Sequence, residues 1–337
     1  MRGWSTVCIT IFAVAARGQD SRPVFRATSE LVLLDVQVIH SKTNTAFGGL
    51  QAGDFDLSED GVPQKILFFG RDQLPLSVVF LLDLTQSDRR ILRHLAAGAQ
   101  DALKHLKPDD EAAVMVYAAS ARPIDGLTRD RGRTAAAIAR ASQMTSDDAA
   151  FFNEAMHQAA AQLENSANPS GRRVILWLTD NIPNLPTNFM LGKHDRGLGG
   201  ALPHTEEEAI RKLHQVRAVV TPLLLKDRLY FWGGRITARD QRDYAHEHPE
   251  DRDYPPGDAH KYAEITGGFP FELRGKKVEE RLAEIIDSLR ARYTIGYRPI
   301  EDKPVGTFCR VKVGLAPGAP LRPQEWRVLV RAGYYRQ

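Results

Sequence analysis

The residues best able to do chemistry sit in one short run, Asp83-Leu84-Thr85-Gln86-Ser87, which crowds a carboxylate and two hydroxyls into a single turn. A second acidic position, Thr179-Asp180, follows the apolar run Val174 to Leu178. Hard oxygen donors of this kind suit Mg²⁺, which wants an octahedron at roughly 2.1 Å and keeps several of its waters. If the two runs are neighbouring strands, Asp83 and Asp180 converge on one point above the edge of a sheet. Other titratable groups are weaker candidates. His246, His248 and His260 follow no recognised zinc-ligand spacing, and the charged stretch around them reads as a solvated face. No nucleophile elbow, phosphate-binding loop or dinucleotide fingerprint is present in the sequence.

The elements that must position these groups follow from hydrophobic spacing. Leu76 to Leu82 is nearly continuously apolar, the mark of a strand buried on both faces. Ile91, Leu92, Leu95, Ala99, Ala102, Leu103 and Leu106 recur at helical spacing after it. Ala112 to Tyr117, Val174 to Leu178 and Val219 to Leu225 read as further buried strands, with a short one near 269–273. Helical patterns lie near 130–142, 150–165, 205–218, 258–266 and 278–289. Strands alternating with helices mean a parallel sheet covered on both sides. Two long segments, 181–204 and 229–257, each leave the C-terminal end of a predicted strand, the edge where open α/β sheets bind ligands.

Both ends of the chain follow a different rule. Leu34, Val36 and Val38 alternate with polar residues, as do Phe55 and Leu57. Asp60-Gly61 marks a turn, and Ile66 and Phe68 resume the alternation. Residues 28–70 therefore read as a small antiparallel β unit. After Arg292 the alternation returns in three sets: Tyr293, Ile295 and Tyr297; Cys309, Val311 and Val313; Trp326, Val328 and Val330. Neither end can bury its apolar face alone, so the two are expected to meet in one β-sandwich beside the α/β domain. The expected divisions are 1–18 as a signal peptide, 28–70 as the N-terminal β unit, 75–292 as the α/β domain, and 293–337 as strands packing with 28–70.

Composition narrows the function classes. The chain has 337 residues, 43% hydrophobic and 26% charged, which is ordinary globular composition. Lys and Arg number 45 against 42 Asp and Glu, so there is no basic excess of the kind nucleic-acid binding needs. Arg2 followed by the apolar stretch Val7 to Ala16, with Ala13-Val14-Ala15 as a cleavage site, reads as an export signal too short to span a bilayer. The expected location is therefore periplasmic or secreted, with no membrane span in the mature chain. Removal of Cys8 with the signal leaves Cys309 alone, expected to be a buried inert thiol.

Asp83-x-Thr85-x-Ser87 at the end of an apolar strand, with Asp180 closing the run LWLTD, resembles the metal-ion-dependent adhesion site of von Willebrand factor type A domains. The flanking GLQAGDFDLSEDGVPQKILFF, ARYTIGYRP and RAGYY are similar to the bacterial VWFA-related family. The resemblance implies a Rossmann-like domain whose metal site comprises Asp83, Thr85, Ser87 and Asp180. It implies Mg²⁺, with Mn²⁺ or Ca²⁺ as alternatives, the two hydroxyls ligating directly and the aspartates acting through hydroxyls or water. A carboxylate from a partner protein then fills the open position, which is binding and not catalysis.

The sequence departs from the family pattern in three places. Thr85 stands where serine is usual, and Asn181 replaces a frequent glycine. Asp147-Asp148-Ala149 occupies the place of a Gly-Gly-Thr run, so Ala149 stands where a ligating threonine is expected, leaving Thr145, Ser146, Asp147 or Asp148 as substitutes. Without an ion, Thr85 or Ser87 would serve as a helix cap and Asp180 as a loop cap. The expectation is an exported, non-enzymatic interaction or adhesion module with a degenerate metal site. The alternatives are a metal-independent scaffold with a dead site, or a metal-dependent hydrolase using Asp83, Asp180 and loop histidines.

Overall fold

The computed structural model describes residues 31–71, 74–84, 89–118, 120–146, 150–179, 181, 204–225, 258–273, 278–300 and 303–336. The expected signal peptide and most of both long segments lie outside the described residues. The chain opens with β1 (Val32–His40), a single 3-10 turn (Ala52–Asp54), β2 (Phe55–Glu59), β3 (Val62–Pro63) and β4 (Ile66–Gly70). The α/β part then runs β5 (Leu76–Asp83), α1 (Arg89–Leu103), β6 (Glu111–Tyr117), β7 (Ala121–Thr128), α2 (Arg131–Ala141), α3 (Phe152–Glu164) and β8 (Arg172–Thr179). It continues with α4 (Glu206–Val216), β9 (Ala218–Leu225), α5 (Ala259–Thr266), β10 (Phe271–Leu273) and α6 (Val278–Ser288). The chain closes with β11 (Tyr293–Tyr297), β12 (Phe308–Leu315), β13 (Trp326–Leu329) and β14 (Gly333–Tyr335).

The central sheet has six strands in the order β10-β9-β8-β5-β6-β7. All eight residues of β5 are buried, because its two faces pack on different cores. Val78, Phe80 and Leu82 pack beneath α1, α2 and α6, against residues such as Leu95, Ile138 and Ile286. Val79 and Leu81 face the opposite way, towards Phe152 and Leu163 of α3, Leu213 of α4 and Tyr262 of α5. A continuous apolar run is thus what a strand needs when period-two alternation delivers every side chain to one core or the other. The sheet is parallel except at one edge, where β7 pairs antiparallel with β6. This strand had no sequence signal. As an edge strand it buries little, and its Pro123 and Gly126 are tolerated only because one side is unpaired.

The terminal strands form two antiparallel four-stranded sheets, β13-β1-β11-β4 and β14-β12-β2-β3. Between them lies a core containing Leu34, Val36, Phe55, Leu57, Tyr293, Ile295, Val311 and Val313. The two ends of the chain therefore do share one sandwich. The N-terminal strands, however, do not form a unit of their own. Only the β2–β3 hairpin pairs locally, while β1 and β4 are separated by β11 and β2 pairs with β12. The expected alternation of Ile66 and Phe68 also breaks. A register shift at Gly296/Tyr297 changes the phase of β4, so Phe68 is 40% exposed while Phe69 stacks on Tyr293. The terminal strand β14 is a further addition to the sequence-based expectation.

Within this sandwich Glu59 is fully buried and still satisfied. It accepts hydrogen bonds from the Tyr297 and Tyr334 hydroxyls at 2.6 and 3.0 Å, and Lys303 pairs with it and with Asp60. Cys309 is buried as expected, with Lys303 Nζ 3.8 Å from its sulfur. Among the described residues Glu59, Asp60 and Cys309 are the one set of three ligand-type side chains close enough to share an ion. The Lys303 ammonium already supplies the positive charge there, so the group reads as a buried ion pair.

Helix α4 packs against the second sheet through His214, whose ring lies 5.3 Å from Phe308 and 6.2 Å from Tyr335, centroid to centroid. Burial, and then the nearby Arg331 charge, push the His214 pKa down to about 4. A histidine whose folded pKa lies below its unfolded value of ~6.5 takes up a proton on unfolding, so stability falls as pH drops from ~6.5 towards 4. The loss attributable to His214 is roughly 3 kcal/mol across that window. Denaturant unfolding of the parent and of His214→Phe at intervals from neutral to acid pH should show the slope in the parent and a flatter profile in the variant. An unchanged slope in the variant would assign the acid sensitivity elsewhere.

Candidate functional site

Strand order places β5 between β6 and β8, all parallel, so the C-terminal ends of the three lie side by side. Asp83 is the last residue of β5, directly opposite Tyr117 of β6, and it is fully buried. A carboxylate in such a place needs hydrogen bonds. The Tyr117 hydroxyl donates to Asp83 Oδ2 at 2.7 Å, and Trp177 Nε1 of β8 donates in turn to the Tyr117 oxygen at 2.7 Å. Burial and then the Asp83 charge hold the Tyr117 pKa well above its ordinary value, so the phenol stays a donor. The ring of Phe152 closes the pocket beneath, edge-on to Trp177 at 4.8 Å. Thr179 ends β8 and is likewise fully buried.

The segment where the family carries its threonine is fastened to the same strand ends. Ser146 N donates to Leu84 O at 2.9 Å, and Phe151 N donates to Ala118 O at 3.0 Å. The chain on either side of 147–149 is thereby tied to the ends of β5 and β6. Ser146 is half-buried there, whereas Thr145 is exposed. Of the residues singled out from the sequence, Asp83 lies where expected. Thr85, Ser87 and Asp180 lie outside the described residues, as do Asp147, Asp148, Ala149, His246 and His248. His260 is described, and sits exposed in the first turn of α5.

The described flanks of the two long segments are anchored at this edge. Asn181 adopts the left-handed conformation, with φ 59°, as its place in a glycine position suggested. Its side chain accepts from Ala259 N at 2.8 Å and donates to Asp258 Oδ1 at 3.4 Å, joining the exit of β8 to the start of α5. At the other flank, His204 donates its backbone N–H to Glu154 Oε2 at 3.0 Å, and its Nδ1 lies 2.6 Å from the same oxygen. Burial of Glu154 opposes ionisation, but hydrogen bonds from His204 and Gln158 outweigh it and hold the carboxyl below its usual pKa. His204 also stacks on His157 with ring centroids 3.5 Å apart.

Tyr117, Trp177, Glu154 and His204 were not singled out from the sequence. Tyr117 and Trp177 sit inside apolar runs and read as core, and only the pairing of β6 and β8 with β5 reveals their polar ends as supports for Asp83.

Residues 78–182 match the von Willebrand factor type A domain. No curated protein matches the sequence. Among solved structures, a von Willebrand factor type A protein from Catenulispora acidiphila is similar at 12% identity, covering 91% of this chain and 75% of its own, with a TM-score of 0.43. A D319A mutant of the PilB minor pilin from Streptococcus sanguinis is similar at 12% identity, with 77% and 79% coverage and a TM-score of 0.43. The conserved hypothetical protein BatB from Bacteroides thetaiotaomicron is similar at 13% identity, with 64% and 98% coverage and a TM-score of 0.38. The six-stranded sheet with helices on both faces, and the matched segment running from β5 past the end of β8, define the class. This chain carries a von Willebrand factor type A domain, with a β-sandwich built from the strands on either side of it.

Replacing Tyr117 with Phe removes the donor to Asp83 and the acceptor for Trp177 while keeping the ring. Taking a hydrogen-bond partner away from buried polar groups costs about 1–3 kcal/mol. Urea unfolding of Tyr117→Phe should show a loss of that order, and a variant as stable as the parent would mean that Asp83 does not depend on this phenol.

Proposed function

We propose that this protein is an exported, non-enzymatic recognition module that binds a protein partner at the C-terminal edge of its central sheet. The observation that carries this reading is Asp83, a buried carboxylate ending the central strand of a von Willebrand factor type A domain, the fold being one typically used in adhesion and protein binding. A second feature supports it. Asn181 and Asp258, which flank the two long segments, are hydrogen-bonded to one another just past the end of β8, and His204 is bonded to Glu154 in the first turn of α3.

The donors fit a hard divalent cation. Asp83, Thr85, Ser87 and Asp180 would hold Mg²⁺, with Mn²⁺ or Ca²⁺ as substitutes, and Ser146, whose backbone is bonded to Leu84, is our choice among the residues that would stand in for the usual threonine. Oxygen-rich, hydroxyl-bearing sets of this kind are what such ions prefer. Tyr117 matters to the chemistry as well as to stability. By donating to Asp83 Oδ2 it withdraws charge from the carboxylate, which weakens Asp83 as a ligand and suits a site that leaves its ion attractive to an outside carboxylate. A bound ion would supply one electrophilic position for an acidic side chain of the partner.

Thermal melting with EDTA, and then with excess Mg²⁺ or Mn²⁺, tests the ion. Metal at ~100-fold its dissociation constant adds about 2.7 kcal/mol. The parent should gain stability of that order, while Asp83→Ala and the near-isosteric Asp83→Asn should not. No gain in the parent would establish the scaffold with a dead site, and an equal gain in all three would move the ion elsewhere. Retention of acidic peptides on the immobilised parent with Mg²⁺, lost with EDTA and in Asp83→Asn, is expected for the recognition step.

A further inference from the structure

At the opposite edge of the central sheet, where β5, β8 and β9 begin, a cavity of about 70 Å³ lies between the α/β domain and the sandwich. A single water needs ~10–15 Å³ measured in this way, so the space takes about five waters or one small organic molecule. Arg172, Arg217 and Arg331 line it, and Asp35 is the one carboxylate that does.

That carboxylate is already committed. Arg172 Nε lies 2.9 Å from Asp35 Oδ1, and Arg292 Nε lies 3.4 Å from Asp35 Oδ2. Arg172 and Arg292 spend their remaining donors on backbone carbonyls and Gln37. Among the described residues, Arg331 and Arg217 form no ion pair. Arg331 donates to Leu33 O at 3.1 Å, while its Nε is sealed from solvent with no hydrogen-bond partner. Burial, followed by repulsion from Arg217, brings the Arg331 pKa down to about 10. Arg331 also helps to hold His214, another residue of the wall, in its neutral form.

A guanidinium whose Nε is sealed from solvent without a partner, beside a second one that forms no ion pair among the described residues, suits an anion. Apolar residues, Leu34, Leu74 and Leu213 among them, make up a further part of the wall, alongside Ser170, Thr266 and Thr294. An inorganic oxyanion would leave those surfaces dry and unmatched, whereas a short hydrocarbon body covers them. We infer that the cavity binds a small aliphatic carboxylate, its head group against Arg217 and Arg331 and its hydrocarbon body against Leu34, Leu74 and Leu213. This site is separate from Asp83, at the other ends of the same strands.

Titration calorimetry with butyrate on the full chain tests the assignment, with butyramide as the neutral isostere and inorganic phosphate as the anion without an apolar body. Butyrate should bind saturably and the other two should not. Arg217→Asn keeps the left-handed backbone found at Arg217, φ 57°, and removes the charge from an exposed position, so this variant should fold. It should weaken butyrate about tenfold, the equivalent of one lost charge-assisted contact. Arg331→Gln should weaken it at least as much, and Asp83→Asn should leave it unchanged. Absence of saturable butyrate binding, equal binding of butyramide or phosphate, or full affinity in Arg217→Asn would overturn the inference.

Discussion

The hydrogen bond between Tyr117 and Asp83 is the constraint around which the α/β domain is arranged. A carboxylate that ends a strand buried on both faces cannot reach bulk water by its own side chain. One donor that keeps it comes from a neighbouring strand, where a long aromatic side chain lying within the apolar core presents its polar tip at the edge. Tyr117 provides the hydroxyl, Trp177 fixes that hydroxyl from across β5, and Phe152 packs beneath. The apolar layer under α3, α4 and α5 is therefore also the support for the polar edge, and repacking one disturbs the other.

The joint between the domain and the sandwich follows similar physics with the opposite sign. Two nearly inaccessible arginines, Arg172 at the start of β8 and Arg292 just before β11, converge on Asp35 of β1. Gln37 of the same strand accepts from Arg292 and donates to Ser288 O at the end of α6. Buried charge of this kind adds little net stability over an apolar replacement, but losing one partner strands the others. It ties β1, β8 and β11 together through one shared carboxylate and the carbonyls around it. Arg217 and Arg331 remain outside that settlement, which gives the lower edge its positive character.

Much of this was legible in the sequence because burial leaves a period. The unbroken apolar run of β5 announced a strand covered on both faces, and the alternation of Leu34, Val36 and Val38 announced one covered on a single face. Asp83 could be placed at a strand end because the run stopped there. What remained hidden depended on pairing between distant segments. Nothing local to Tyr117 or Trp177 says that β6 and β8 flank β5. Phe68 carried the expected alternation, but a bulge at Leu67 in its own strand shifted the phase. β7 is an edge strand with Pro123 and Gly126 and too little burial to impose a pattern. The pairing of Glu154 with His204 joins a helix to the end of a long segment, and neither residue stands out alone. The fold was therefore more legible than the site, whose supports come from three strands at once.

The interleaving of the terminal strands sets an order of events during synthesis. β1 lies between β11 and β13, with Val32 opposite Tyr297 and Gln37 opposite Leu329. The nascent chain thus makes its first strands long before their partners exist, and the intervening α/β domain can form while β1, β2 and β4 still wait. Pairing across such separations is slow, and an unpaired strand is a template for other chains. Leu33, Leu67 and Phe68 remain exposed even in the finished sandwich, so these waiting strands are adhesive on more than one face. Strands β11, β12 and β13 retire this hazard, which makes their arrival the step that converts a sticky intermediate into a closed sandwich.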